Sequence, residues 1–284
     1  YRLAFRRVWV MERELLFYSI GTYLAFKFLL PEQIPGGGGY GVRALFPLFG
    51  RIWWYPTVYA TFLLVMPPLT RGLRSLGEPL HKRLALVSIV LWGIVQGLCP
   101  EKTVTNDTLV YFVVVYVLVC YYRWYMKPVG RSTGVLLIVL GMAAIVGSIL
   151  VLGFLVPGDS GLQMYLTSEW KLPVALVSFG LVLLFSSFRF TSRTVNLLAG
   201  SMFGAYLISE HRLIRPLLWE DLLSFEAWYV SPFAPLFAIL SILVALGLCI
   251  SLDWLRRMVF SLVFRRPGAL FDRLWEVLVG ARRV

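Results

Sequence analysis

Long apolar segments, one after another, constrain this chain more than any other feature of its sequence. A helix that crosses the hydrocarbon core of a membrane needs roughly 17–25 apolar residues. Segments of about that length occupy the ranges 14–30, 53–70, 84–99, 108–126, 133–156, 172–188, 194–209 and 233–252. They lack strand alternation, and a backbone in lipid must satisfy its own hydrogen bonds. We therefore predict an all-α fold, a polytopic transmembrane helical bundle of about eight spans.

The composition supports a membrane environment. Hydrophobic residues make up 59% of the chain and charged residues 15%, whereas about 25% of a typical soluble protein is charged. A soluble fold of this size could not cover so much apolar surface. Membrane lipid is therefore an expected partner.

The positive charge alternates between the two sides of the predicted membrane. The 27 Lys and Arg residues contribute to a formal net charge of +12. Most lie in the arm 1–13, in the connections 71–83, 123–131 and 189–193, and in the tail after 252. Basic residues near span ends stay cytoplasmic, so both termini are predicted to face the cytoplasm. We expect a multi-pass protein of the cell inner (cytoplasmic) membrane, whose charge meets anionic lipid rather than nucleic acid.

The pattern divides the chain into two parts. Residues 1–252 form the predicted transmembrane domain. Residues 253–284 form a cytoplasmic amphipathic tail, because apolar and basic residues alternate there at helical spacing. The Gly36–Gly39 run is interpreted as a flexible turn in an outer loop.

Motifs of soluble enzymes are missing from the sequence. It contains no phosphate-binding glycine motif, no nucleophile elbow and no zinc-binding helix. Cys99, Cys120 and Cys249 lie in or beside apolar segments without metal or redox spacing, so they are predicted to be free, buried thiols. We expect no metal site and no bound cofactor.

Polar and aromatic residues cluster where predicted spans reach the outer side. His211 lies in the polar segment 209–215, which is interpreted either as a pocket open to the outside or as an ordinary helix end. The aromatic segment 51–59 enters the second span from the same side, either as belt residues or as a shelf that binds sugar rings. The candidate substrate-binding residues are Trp53, Tyr55, Tyr59, Glu210, His211, Arg212 and Arg215.

Two further polar residues have simpler interpretations. His81 lies in a basic cytoplasmic connection and is expected to be solvated. Lys27 lies near the outer end of the first span, where its side chain is expected to reach the interface. A charge inside a membrane can also mark a functional site.

Three stretches of the sequence carry a family resemblance. They are 45–60 with its continuation 66–73, the helix 111–123, and 195–219 followed by 249–256. In this order they resemble the acyltransferase 3 family of bacterial integral-membrane acyltransferases, especially the branch that modifies surface polysaccharides. The resemblance runs through most of the chain.

The resemblance implies transfer of an acyl group, typically acetyl, from cytoplasmic acyl-CoA to a hydroxyl of an extracytoplasmic polysaccharide. The family has ten membrane helices, and the first span of this chain is similar to the family's third. The family's catalytic His is therefore expected on a missing N-terminal helix, and no residue of this chain is assigned that role. Arg71, Arg74 and Arg123 are candidates to face acyl-CoA on the cytoplasmic side.

Two other functions stay open at this point. A polysaccharide or lipid transporter of similar helix number would usually show inverted repeats and paired broken helices. A non-catalytic membrane subunit would share the same topology. The sequence does not indicate an oligomeric state.

Overall fold

A computed structural model of the chain describes residues 1–35, 39–96, 108–188, 191–223, 231–263 and 269–277. Over these residues the secondary structure is helical and contains no strand, which confirms the all-α fold class. The helices are α1 (Arg2–Leu29), α2 (Tyr40–Leu45), α3 (Trp54–Ser75), α4 (Gly77–Ser88), α5 (Thr108–Tyr125), α6 (Arg131–Leu155), α7 (Ser160–Gln163), α8 (Leu172–Ser186), α9 (Arg193–Ser209), α10 (Ile214–Pro216), α11 (Ala234–Val263) and α12 (Ala269–Trp275).

Each predicted span coincides with a helix over its described residues, but several helices extend further than the apolar pattern. Helix α1 includes the arm 1–13, and α3 continues past Pro67 and Pro68 to Ser75. The chain then turns at Gly77, whose φ of 68° is a conformation that glycine adopts without strain. Helix α4 runs directly into a π-helix, Ile89–Val95, and the rest of predicted span 84–99 lies mainly outside the described residues.

Three described segments are long and apolar enough to cross a membrane: Arg131–Leu155, Tyr165–Ser186 and Ala234–Leu262. Helix Leu109–Tyr125 is apolar but shorter. Most side chains of α6 are exposed in the structure, as expected where lipid is the solvent. These features identify a membrane protein, while the count of eight spans and the orientation of the termini stay predictions.

The chain forms two compact units, which are described separately. The first contains Tyr1–Leu64 and Thr191–Val284, and the second contains Val65–Phe190. In the second unit α6 and α8 pack with their backbones in close approach. A Cβ added to Gly180 would lie 2.6 Å from the Gly134 carbonyl oxygen, and one added to Gly141 would lie 2.6 Å from the Pro173 carbonyl oxygen. Only glycine fits these contacts without a shift.

His81 in the second unit corrects a prediction. It is fully buried rather than solvated, and its Nε2 lies 3.0 Å from the Val117 carbonyl oxygen. Its ring meets Tyr121, Trp124 and Tyr125 edge-on at centroid distances of 5.5–5.6 Å. The cause is that residues 77–88 form a helix packed on α5, whereas the density of basic residues indicated a loop.

The core of the first unit joins α1, α9, α11 and the start of α3. Leu15, Trp53, Leu207 and Cys249 are among its buried members. Cys249 and, in the second unit, Cys120 are buried free thiols as predicted, whereas Cys99 lies outside the described residues.

The predicted tail begins inside a continuous helix, because α11 passes through residue 252 and ends at Val263. Helix α12 then packs against the N-terminal part of α1. Arg2 and Asp272 form an ion pair at 3.0 Å, and the rings of Phe5 and Trp275 lie 5.6 Å apart. The predicted N-terminal arm and part of the predicted tail therefore pack against each other.

Candidate functional site

A buried group of charged and polar side chains lies between α1 and α11. Asp253 has no exposed surface, and its Oδ1 accepts hydrogen bonds from the Tyr18 hydroxyl at 2.7 Å and from Arg256 Nε at 2.8 Å. Arg256 is 5% exposed, and its Nη1 lies 3.5 Å from Glu14 Oε1. Helical spacing creates this group, since Asp253 and Arg256 are three residues apart and Glu14 and Tyr18 four apart.

Helix α9 leaves room for this group by presenting a glycine. A Cβ at Gly204 would overlap the carboxylate of Asp253. One turn earlier, the Ser201 hydroxyl accepts a hydrogen bond from Arg257 Nη1 at 3.2 Å. A buried charge without a partner is costly. Here Asp253 is paired with Arg256 on the same helix, and Glu14 on α1 is paired with Arg256 on α11.

A cavity of about 970 Å³ opens beside the buried group. Its lining combines cationic, aromatic and aliphatic side chains, and Glu14 is the only carboxylate among the described residues that line it. The lining residues are Leu3, Arg6, Arg7, Val10, Met11, Arg13, Glu14, Tyr55, Tyr59, Phe203, Arg256, Arg257, Phe260 and Ser261. Because five of them are arginines, whose planar guanidinium groups suit phosphate and carboxylate, we call this the arginine cavity.

Two tyrosines form an aromatic wall of the arginine cavity. Tyr55 and Tyr59 are four residues apart on α3, and their rings lie parallel with centroids 5.8 Å apart. Tyr206 meets Tyr55 edge-on at 5.7 Å. The first turn of α3 is held by Thr57, whose hydroxyl lies 2.9 Å from the Leu48 carbonyl oxygen and 3.0 Å from that of Trp53.

The other candidate aromatic, Trp53, is buried beside His211 rather than in the cavity. Its Nε1 donates to the Leu207 carbonyl oxygen at 3.0 Å, and its ring meets the imidazole edge-on at 5.2 Å. His211 Nδ1 accepts from the Leu213 N–H at 3.2 Å, so the proton of the neutral ring belongs on Nε2. Burial lowers the pKa of His211 from 6.5 to about 4, which keeps it neutral at neutral pH.

The remaining outer candidates are near the surface. Arg215 Nη1 and Glu210 Oε2 form an exposed ion pair at 3.3 Å, and Arg212 is exposed. The seven predicted substrate-binding residues therefore divide into three sets: two tyrosines in the arginine cavity, a buried Trp–His pair, and charged residues at the surface.

The candidates for contact with acyl-CoA lie in the second unit. Arg71, Arg74 and Arg123 are all exposed, and the Arg74 guanidinium lies over the Trp124 ring at 5.2 Å. None of the three lines the arginine cavity, which belongs to the first unit.

Sequence reasoning missed Asp253, Arg256 and Glu14 as parts of a site. Asp253 and Arg256 were placed in the tail, and Glu14 at the edge of a span. A signal was present in the sequence. Asp253 and Arg256 are an acidic and a basic residue three positions apart, and apolar residues at helical spacing continue on both sides of them.

The described residues contain no group of three or more His, Cys, Asp or Glu side chains placed to hold a metal ion. Comparisons with protein-family models, with curated proteins and with solved structures give no match to this chain. The likeness to the acyltransferase 3 family therefore stays an expectation from the sequence.

Proposed function

We propose that this protein is an integral-membrane acyltransferase that transfers an acyl group, typically acetyl, from cytoplasmic acyl-CoA to a hydroxyl of an extracytoplasmic polysaccharide. The observation that carries the proposal is the arginine cavity. Coenzyme A ends in a nucleotide that bears several phosphate charges, and clustered arginines attract and hold such a group. The inner membrane is the proposed location.

Size and lining support a ligand of this class. Ligand pockets typically have volumes of about 300–1,000 Å³, and the arginine cavity measures about 970 Å³. The parallel rings of Tyr55 and Tyr59 offer a surface on which an adenine could stack. Apolar side chains such as Val10 and Phe260 complete the lining.

The predicted topology supports a cytoplasmic donor. The arginines come from the first turns of α1 and the last turns of α11, which are the regions assigned to the cytoplasmic side by their positive charge. A donor that enters from the cytoplasm would meet these side chains first.

Acyl transfer requires that the acceptor hydroxyl attack the thioester carbonyl while a base removes its proton, and that the thiolate leave and be protonated. His211 does not line the arginine cavity, and its one free lone pair already accepts the Leu213 N–H. We therefore assign no general base to the described residues. The chain's proposed contribution is to bind and orient the donor.

Lipid transport is the second candidate function. The cavity is lined by aliphatic and aromatic residues together with arginines, and that mixture also suits a phospholipid headgroup with its first acyl carbons. A non-catalytic membrane subunit would show neither acyl transfer nor ligand movement.

Binding of coenzyme A to the purified protein in nanodiscs tests the donor site. We expect isothermal titration to show binding that the double variant Arg6→Gln/Arg7→Gln weakens by about tenfold or more, since each lost charge-assisted bond costs roughly 1.5–3 kcal/mol. The control is Arg2→Gln, which removes one positive charge from the same helix outside the cavity.

Labelled acetyl-CoA supplied to membranes tests the reaction itself. Transfer of the label to polysaccharide by membranes that contain the protein supports acyltransferase activity. If the cavity variant binds coenzyme A as well as the Arg2 variant does, and no label reaches glycan, the proposal fails. Movement of lipid without acyl transfer would favour the transporter.

A further inference from the structure

The buried group behind the arginine cavity contains a side chain that the proposed donor site does not touch. Asp253 is fully buried and does not line the cavity, yet two hydrogen bonds converge on its Oδ1. One donor is Arg256, which does line the cavity. The carboxylate thus contacts the cavity only through another residue.

Arg256 is held from several directions. Nε is bound by Asp253 and Nη1 faces Glu14, while the rings of Tyr18 and Phe260 lie 5.7 Å and 5.2 Å from its guanidinium carbon. The contacts with Asp253 and Glu14 use the Nε and Nη1 atoms of Arg256. Two of the cavity arginines on α1, Arg6 and Arg7, are exposed.

We propose that Asp253 is a positioning residue, which fixes the Arg256 guanidinium so that its remaining N–H groups face a phosphate-bearing ligand in the arginine cavity. A free arginine samples many rotamers, and fixing it before the ligand arrives removes that cost from binding. Tyr18 contributes by donating to the same carboxylate oxygen and so orienting it. This inference deepens the proposed function and rests on it for the identity of the ligand.

Two charges near the site have different roles. Glu14 lines the cavity and opposes an anionic ligand there, whereas Asp253 does not line the cavity and is bonded to Arg256, which does. Removal of the Asp253 charge is therefore expected to weaken anion binding, although a simple count of charges would predict stronger binding to a less acidic site.

The test uses inorganic pyrophosphate and pantetheine as separate probes of the full chain in phosphatidylcholine nanodiscs. Pyrophosphate carries the charge of the nucleotide end, and pantetheine is the uncharged arm of coenzyme A. We expect Asp253→Asn to weaken pyrophosphate binding about tenfold, as expected for a disturbed charge-assisted contact, and to leave pantetheine binding unchanged. The control Asp272→Asn removes an exposed carboxylate of α12 and is expected to leave both affinities unchanged.

Tyr18→Phe keeps the ring and the Asp253 charge but removes one hydrogen bond, and it decides the question if the Asp253 variant does not fold. A pyrophosphate affinity about threefold weaker is expected from the loss of one neutral donor. Equal pyrophosphate affinity in wild type and both variants would overturn the inference, and so would a wild-type protein that does not bind pyrophosphate.

The result also separates this inference from the proposed function. Suppose that pyrophosphate binding depends on Asp253 but the protein shows no acyl transfer. The positioning role of Asp253 would then stand, and the proposed acyltransferase function would be rejected. Addition of phosphatidylglycerol to the nanodiscs identifies the source of the phosphate. If phosphatidylglycerol competes with pyrophosphate, the natural ligand is a lipid headgroup. If it does not compete, the natural ligand is a soluble donor.

Discussion

Protonation of His211 is expected to destabilise the first unit in mild acid. Burial lowers the pKa of His211 from 6.5 to about 4, so the folded protein binds the proton less tightly than the unfolded chain does. The contribution of the neutral ring is fully present above pH 6.5. It is lost as the pH falls from 6.5 towards 4, and no further loss follows below that.

The magnitude follows from the size of the shift. One pKa unit corresponds to 1.36 kcal/mol, so the full loss is about 3 kcal/mol and the loss at pH 5 is about 2 kcal/mol. The structural reason is that Nδ1 already accepts the Leu213 N–H, and its protonation breaks that bond. The buried Nε2 has no hydrogen-bond partner among the described residues to stabilise the cation.

The assay is the free energy of unfolding of the detergent-solubilised protein, measured between pH 4 and 8 for wild type and for His211→Asn. The Asn amide can replace Nδ1 as the acceptor for Leu213 but does not titrate in this range. We expect the variant to be less stable at pH 7 and to lose about 2 kcal/mol less than wild type on going to pH 5. Identical pH dependence in the two proteins would refute the assignment.

Three further changes test other parts of the structure. Burial raises the pKa of Glu12 from 4.5 to about 7. The contribution of Glu12 to the free energy of unfolding is therefore fully present below pH 4.5 and is lost as the pH rises to 7. Glu12→Gln should remove this pH dependence in the same unfolding assay. Gly180→Leu forces α6 and α8 apart and should lower the melting temperature by several degrees, whereas an unchanged value would contradict the close backbone contact. Trp53→Phe removes the bond to the Leu207 carbonyl oxygen and should cost about 1–3 kcal/mol of unfolding free energy; a neutral result would show that this bond contributes nothing.

The helices were predictable from the sequence because apolar length is a local property. Predicted segment 133–156 and helix Arg131–Leu155 agree closely, and the thiols of Cys120 and Cys249 are free and buried as expected. The end of α11 was not predictable from hydropathy. Arg256 and Arg257 look like a membrane boundary, yet the helix continues through them to Val263.

Buried polar residues were the main limit of the sequence prediction, because their partners come from distant segments. Lys171 directly precedes the predicted span 172–188, but its side chain is 2% exposed and its Nζ lies 3.7 Å from the Tyr165 ring centroid. Its Nζ donates to the Gln96 carbonyl oxygen at 3.4 Å. Likewise, the partner of Asp253 on α1 lies 235 positions away along the chain, a separation at which periodicity carries no information.

The candidate site was predictable only in part. Tyr55 and Tyr59 have parallel rings because four residues separate them on a helix, and their role in substrate binding stays a prediction. Their place in a cavity with arginines from α1 and α11 depends on tertiary packing. The outer segment 209–215 was treated as one cluster, but just after the end of α9 His211 is buried, whereas Glu210 and Arg215 form an exposed pair.

Photo-crosslinking with a photoreactive acyl-CoA analogue, followed by peptide mapping, tests the central claim most directly. If the arginine cavity binds the donor, the label is expected on peptides that contain residues 3–14, 55–59 or 256–261, and excess coenzyme A should prevent it. Labelling confined to residues 71–83 or 123–131, or labelling that coenzyme A does not reduce, would contradict the assignment of the donor site to this cavity.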